Sequence, residues 1–461
     1  MLINQGAAAR AFAVPVCASP AALMRGARAF ALAVLLASVS AAVAGAEPAP
    51  ATVALNPGLE QLTLRQAEIA FAARNRELQL GQRLIEGAQA DRLSAAQRPN
   101  PNVSLNASPL NPHSGLGSGD LREKQLGTTF GVQQLFERGG KRELRMQAAD
   151  HNITASRGDY ADIHRQQKVA LYVAYYELVA AQEKLRIATE TAGLFQKTID
   201  AVELRLKAGD IARSEVARIR VDALRAQNDA RTAQAERQKA QTSLAYVIGA
   251  ERDASRINAI DGWPAMSAAD GAFGIDQALG GRADVQAAQA RVAAADKNRE
   301  LARALRTRDV TGSAQFQHFP GDFSNNTFGV GVSVPLFTNY YFEGEIRRAE
   351  VELQIARENF ERVRALALGE IVKSRADLDS ARDRVQRFRE VLLAEAQRSA
   401  EGAEFAYSRG AIGVMDLLDA RRQLYATRLE ASGAQADYAR SLAAWQAAVA
   451  TAEIEPTTAG K

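Results

Sequence analysis

Two periodicities divide this chain, one of two residues in short runs and one of seven in very long ones. Over residues 328–334, Phe328, Val330, Val332 and Val334 alternate with Gly329, Gly331 and Ser333. That spacing predicts a strand with one apolar face and one small or polar face. Val103-Ser-Leu-Asn-Ala107 alternates in the same way. With strands over about 124–136 and 310–319, these runs predict two β-hairpins, 102–136 and 309–337, each with a polar loop between its strands.

Each hairpin leads into a long, proline-free helical stretch, 138–208 and 343–409, predicted to span about 105 and about 100 Å at 1.5 Å per residue. In the first, Leu171, Leu178, Leu185, Ala192, Ile199 and Leu206 form one row of sevens. Ala174, Ala181, Ala188, Phe195 and Val202 form a second, three residues on. That is a coiled-coil seam. In the second stretch the row Ile346, Leu353, Phe360, Ala367 shifts by four residues to Ile371, Leu378, Val385, Leu392, a step that locally relaxes a left-handed supercoil. Shorter helices are expected at 63–97, 213–247 and 416–452. The first has Thr63 as N-cap and Gln66 in the capping-box position, and Pro99 and Pro101 stop it. Two short helices end to end match one long one, which predicts a wall of even height.

The pattern occurs twice. Gly209 follows Phe136, and Gly410 follows Phe337, at the same interval of 73 residues. Duplication on this scale divides the chain into repeats 63–248 and 275–452, a linker 249–274, an extended segment 47–62 and a tail 453–461. Residues 1–46 read as a signal peptide: Arg25 and Arg28 precede the apolar run Phe30–Val43, and Ala44-Gly45-Ala46 is a small-residue cleavage pattern. Met24 is an alternative start, and a transmembrane anchor is the competing reading.

Charge and composition mostly exclude. Removing 1–46 takes away Arg10, Arg25 and Arg28 and lowers the formal charge from +4 to +1. No dense basic patch interleaved with aromatics speaks for nucleic acid. The one cysteine, Cys17, lies in the leader, so neither disulfides nor thiolate metal sites are expected. His113, His151, His164 and His318 do not pair at ligand spacing. Gly139-Gly140-Lys141-Arg142 only superficially matches a phosphate loop, because Leu135 stands where that motif needs glycine and Arg142 where it needs Ser or Thr. No catalytic constellation appears, so neither an enzyme nor a cofactor is expected. Beyond the leader, no apolar run is long enough for a spanning helix. An exported chain of this kind is either soluble or crosses a membrane as strands. Four strands cannot close a membrane barrel, so embedded strands would have to be pooled among several chains. Two soluble hairpins capping a coiled coil remain the alternative.

Two segments carry a family resemblance. Phe130-Gly-Val-Gln-Gln-Leu-Phe-Glu-Arg-Gly-Gly-Lys-Arg142 and Gly410-Ala-Ile-Gly-Val-Met-Asp-Leu-Leu-Asp-Ala-Arg421 resemble, respectively, the strand-to-helix junction and the periplasmic tip turn of TolC-like outer membrane efflux proteins. The first is similar to the heavy-metal branch, typified by the cobalt-zinc-cadmium resistance outer membrane component. The likeness runs from about Leu62 to Ala452. It implies a mainly α fold of long coiled-coil hairpins with four membrane β-strands per chain, assembled as a homotrimer. A 12-stranded β-barrel would sit in the outer membrane and an α-barrel would extend into the periplasm. It also implies partners: a periplasmic adaptor protein, an inner-membrane efflux pump of the RND type, and outer membrane lipid. The chain would then be a passive channel exporting divalent heavy-metal cations. A channel for drugs or secreted proteins, and a secreted coiled-coil protein without a pore, are the other readings.

The resemblance gives Asp416 and Asp419 a role. Spaced by three at a helix start they share a face, and three copies would ring the channel entrance and favour cations. The competing reading is stabilisation of a helix N-terminus. The equivalent positions of the first repeat are Glu215 and Arg218, and Ile412 stands where some relatives carry a gate arginine. Gly209, Gly410 and Gly413 are expected to form the tip turns, with tip-to-tip adaptor docking as their functional reading. Gly139 and Gly140 are expected to make the strand-to-helix bend, with Lys141 and Arg142 either at lipid head groups or simply solvated.

Overall fold

The computed structural model describes residues 58–108, 127–266, 274–319 and 325–451. The signal-peptide segment 1–46, most of the extended segment 47–62, the tail 453–461 and His113 lie outside the described residues.

The first short helix is not continuous. α1 (Leu64–Arg74) opens with a capping box, in which the Gln66 N–H donates to Thr63 Oγ1 and the Thr63 N–H to Gln66 Oε1. It ends at Asn75, where the backbone turns extended before α2 (Arg76–Ala96). One buried amide explains the break. Asn75 Oδ1 accepts from the Leu78 N–H at 3.1 Å, capping α2, and Nδ2 donates to the Val247 carbonyl at 2.9 Å. A side chain that caps this well competes with the helix it interrupts.

Four strands follow in two pairs: β1 (Asn102–Ser108), β2 (Gly127–Phe136), β3 (Val310–Phe319) and β4 (Asn325–Ser333). They form one antiparallel sheet in the order β1-β2-β3-β4, so the two hairpins are neighbours and the outer edges of β1 and β4 have no partner strand among the described residues. Pairing ends at Ser333, short of Pro335, which has no N–H to donate.

α3 (Lys141–Ala208) has 68 residues, about 102 Å of rod. It packs against α2, α4 (Arg213–Ile248), α6 (Ala283–Ala304) and α9 (Val414–Ala448). α2 and α4 thus both pack on one long helix. Of the eleven seam residues on α3 none is exposed, and Leu171, Leu178, Ala188 and Val202 are fully buried. The rod of the second repeat is α7 (Glu343–Arg387), a π turn (Phe388–Leu392) and α8 (Leu393–Ser408). The π turn corrects the second seam. Ile371, Leu378 and Val385 are buried, but Leu392 is exposed. A wider turn carries one extra residue, so the seam resumes one place later, through Leu393, Ala396 and Ala400.

The second repeat breaks its short helix as the first does. Arg282 lies in extended backbone between α5 (Ile275–Gly281) and α6. Its buried guanidinium donates to Asp284 at 2.8 and 3.0 Å, to Glu370 at 2.7 Å and to the Ala448 carbonyl at 3.2 Å. Val247 and Ala448 stand at the same interval of 111 residues after Phe136 and Phe337. The same carbonyl is therefore capped in both repeats, by Asn75 in one and Arg282 in the other.

The segment after the first repeat is more than a connector. Ile257 and Ala259 are buried, and Leu62 forms a parallel bridge with Ala259. Gln182 donates to the Ala259 carbonyl and accepts from its N–H, both at 3.0 Å. Tyr175 donates its hydroxyl to the Leu62 carbonyl at 2.9 Å. Around them Phe71, Leu171, Leu178, Leu244 and Ile248 form the largest apolar cluster. Residues 59–61, within the segment expected to be extended, make a 3₁₀ turn that docks on this cluster through Leu59.

Candidate channel wall, junction and tip

The register carries the strand alternation across the sheet with one exception, the row of Gln134, Gly312 and Val332, which puts an amide on the apolar face. Val103, Val132, Ala314 and Val330 line up in one row, and Leu105, Phe130, Phe316 and Phe328 in the next of the same face. Phe136 pairs with Val310 at the helical end. On the other face the rows are Asn102, Gln133, Ser313, Gly331 and then Ser104, Gly131, Gln315, Gly329 and Asn106, Thr129, Gln317, Thr327. The apolar face is uncovered: Val330 is 79% exposed, and Leu105, Phe328 and Val332 are nearly as open. An apolar sheet face left bare, with hydrogen-bonding groups on its reverse, suits lipid on one side and water on the other. None of the four strands contains Asp, Glu, Lys or Arg.

At the junction Gly139 and Gly140 have φ of 73° and 67°, and α3 begins only at Lys141. Left-handed backbone favours glycine, and a Cβ on Gly139 would also lie 2.8 Å from Thr307. Lys141 is neither at the lipid surface nor solvated. Its side chain is 7% exposed. Nζ donates to the Thr307 carbonyl at 2.9 Å and to both Asp309 oxygens at 2.8 Å. A buried ammonium needs such partners, and the segment leading into β3 supplies them. Arg142 is half-buried and donates to the Ala96 carbonyl at 2.6 Å, closing the end of α2. Arg145 makes two bonds to Glu137, at 2.6 and 2.8 Å, and holds that carboxyl below its usual range despite the opposing effect of burial. In the second repeat the residue before the long helix is Phe342, the one non-glycine with positive φ, at 63°, among the described residues. Its ring packs against Phe337 and Tyr340 and onto Ala302, Ile346 and Ala349.

At the far end both long helices terminate alike. Gly209 and Gly410 have φ of 82° and 74°. The Asp210 N–H donates to the Arg205 carbonyl and that of Ala411 to the Ala406 carbonyl, both at 2.9 Å, which is the Schellman ending. Gly413 differs: at φ −74° and ψ 162° it is the N-cap of α9, in backbone open to any residue. α9 therefore starts at Val414, ahead of the expected 416. Asp416 is exposed, and its Oδ2 accepts from the Gly413 N–H at 3.2 Å. Asp419 is 64% exposed and accepts from Arg422 at 2.6 Å. Arg422 also donates to Asp222 of α4 at 2.8 Å. Arg421 links α9 to Thr198 and Glu404, and Arg205 donates to the Tyr407 hydroxyl. Beneath these contacts Phe195, Val202, Val216, Ile219, Val414 and Leu418 share one cluster, so the tips of both repeats are packed together. Asp309, Asp222 and Arg422 were not singled out from sequence. Position relative to a strand start could have flagged Asp309, and the spacing of three from Asp419 could have flagged Arg422, whereas its bond to Asp222 runs between helices.

Comparison with known proteins agrees with this geometry. The family model of outer membrane efflux proteins matches residues 70–250 and 274–451. The cobalt-zinc-cadmium resistance protein CzcC of Cupriavidus metallidurans is 22% identical over 409 residues, 87% of this chain and 94% of CzcC. Among solved structures, the outer membrane protein VceC from Vibrio cholerae superposes with a TM-score of 0.69 at 20% identity, covering 84% of this chain and 96% of VceC. CusC, whose structures concern folding and transmembrane channel formation, gives 0.67 at 19% identity, covering 84% and 92%. The fold is that of outer membrane channels. With an apolar sheet at one end and ion-paired helices at the other, this chain belongs to the outer membrane efflux protein family, seated in the cell outer membrane with its helical part extending into the periplasm.

Proposed function

We propose that the chain is the passive outer membrane channel of a tripartite efflux system, and that it exports divalent heavy-metal cations. The observation that carries the channel reading is the two-faced sheet with two open edges. Unpaired edges in lipid cost several kcal/mol per backbone group, and a β4 edge meeting the β1 edge of another copy removes them. Three copies supply twelve strands, enough to close a barrel, and their α rods continue the lumen into the periplasm. No energy-converting motif is present in the sequence, so a periplasmic adaptor and an inner-membrane pump of the RND type would provide drive and cargo, meeting the channel at the tip turns around Gly209, Gly410 and Gly413.

The metal assignment rests on the similarity to CzcC and on the tip carboxylates. Three copies each of Asp416 and Asp419, six carboxylates around an entrance, would concentrate cations. Asp416 also caps α9 and Asp419 pairs with Arg422, so the ring would be partly neutralised rather than bare. Planar-bilayer recording of the purified protein tests the channel, and a trimer that never conducts would refute it. Deleting the gene and measuring growth on zinc, cobalt and cadmium salts beside a panel of drugs tests the cargo: sensitivity to drugs alone would replace the metal reading.

A further inference from the structure

The geometry points to a binding surface for the phosphate groups of anionic phospholipids where the sheet meets the helices, formed by Arg138 and Arg308 with Arg306 and Arg98 beside them. Phe136 and Val310 are the last pair of the apolar face at this end. Arg138 lies two residues beyond the first and Arg308 two residues before the second, so both depart about 7 Å past the edge of the apolar band. All four arginines are exposed, and none has a carboxylate partner among the described residues. The nearest acids are already engaged. Asp309 accepts from Lys141 Nζ and from the Arg138 N–H, Glu137 from Arg145, Glu343 from the Tyr341 N–H, and Glu345 from the Tyr340 hydroxyl. The helices behave differently, pairing arginine with acid along α3, α7 and α9.

The surroundings fit a lipid rather than a free anion. The Arg308 guanidinium lies 5.4 Å from the Phe337 ring centroid, and Arg306 donates to the Tyr341 carbonyl at 3.2 Å. Leu336, Tyr340, Tyr341 and Phe136 are exposed beside them. Aromatics gather at the membrane interface, and guanidinium forks match phosphate oxygens. The apolar sheet face runs to this rim with one amide in it, Gln134, which is turned to the Pro99 and Leu135 carbonyls, so acyl chains would lie along Val330, Val332 and Phe136 while the head group meets the arginines. The opposite end of that face closes with the polar row Thr128, His318 and Asn326. Because the helices extend into the periplasm, the rim belongs to the periplasmic leaflet.

The test is native mass spectrometry of the detergent-purified full-length protein titrated with phosphatidylglycerol or phosphatidylethanolamine. Wild type should retain phosphatidylglycerol in preference. The pair Arg138→Gln, Arg308→Gln should weaken that binding about thirtyfold, from the attraction of two basic residues near an anionic surface. Arg138→Lys, Arg308→Lys should restore most of it. Arg213→Gln, Arg218→Gln removes the same charge at the tip and should change nothing. Unchanged binding in the first pair, equal loss in the tip pair, equal retention of both lipids, or full competition by inorganic phosphate would each overturn the assignment. It requires only outer-membrane placement, so bilayer conductance of the same variants reports separately on the channel reading.

Discussion

Lys141 and Asp309, 168 residues apart, meet at 2.8 Å and join the start of the first long helix to the entry of the second hairpin. The pair fixes β2 against β3, which is where the two repeats become one sheet.

Lys141→Met should therefore destabilise the protein by about 3 kcal/mol, because the half-buried Asp309 carboxylate would lose its ammonium partner. Arg142→Ala, which loses one bond to a backbone carbonyl, should cost less. Chemical denaturation of the two variants checks the order; equal losses would remove the clamp from the account.

The two faces of the sheet should respond oppositely to charge. Val330→Arg places a guanidinium in the apolar rows and should cost about 2–4 kcal/mol at mid-membrane depth, seen as loss of assembled protein in the outer membrane. Gln315→Arg, on the reverse face, should assemble normally. Failure of both variants alike would mean the faces are not divided between lipid and water.

At the tip, Asp416→Ala with Asp419→Ala should move the reversal potential in a salt gradient toward zero. Arg422→Ala should move it the other way, since Asp419 and Asp222 would lose their shared cation and each chain would gain one net negative charge at this end. A shift in the same direction for both would show that these carboxylates do not set the field at the entrance.

The Arg282 hub makes a prediction about acid. Burial raises the Asp284 and Glu370 carboxyls, but at Asp284 the bonds and charge of Arg282, and at Glu370 the bonds and charge of Arg165, which donates to it at 2.8 Å, and then of Arg282, outweigh it and hold both below their usual range. A depressed folded pKa contributes stability that is complete above the ordinary carboxylate range and disappears as pH falls through the folded values. Thermal melting should thus be flat around neutrality and decline below about pH 4. Arg282→Met should lower melting at pH 7 and flatten that decline. A variant with the wild-type acid profile would place the pH sensitivity elsewhere.

What could be read in advance depended on how local each signal is. The strand of Phe328 to Val334 and the seam of Leu171 to Leu206 are repeats of one residue class, and tertiary packing reinforces them. The π turn leaves no mark of its own: Val385 to Leu392 keeps a perfect seven, yet the helix widens and Leu392 turns outward. Asn75 looked like a mid-helix residue because the carbonyl that stabilises its break belongs to Val247. Lys141 looked like a cation for lipid head groups or for water because Asp309 lies in the other repeat. Gly413 shared its type with Gly209 and Gly410 but not their conformation, since an N-cap before a helix and a turn after one place different demands on φ.

The sheet without a single formal charge has a consequence for how such proteins diversify. An exit lined by amides, hydroxyls and glycine has little means of telling one ion from another, so its strands are interchangeable plumbing. Grafting the hairpins of a relative with different cargo onto these rods should leave ion preference with the rods.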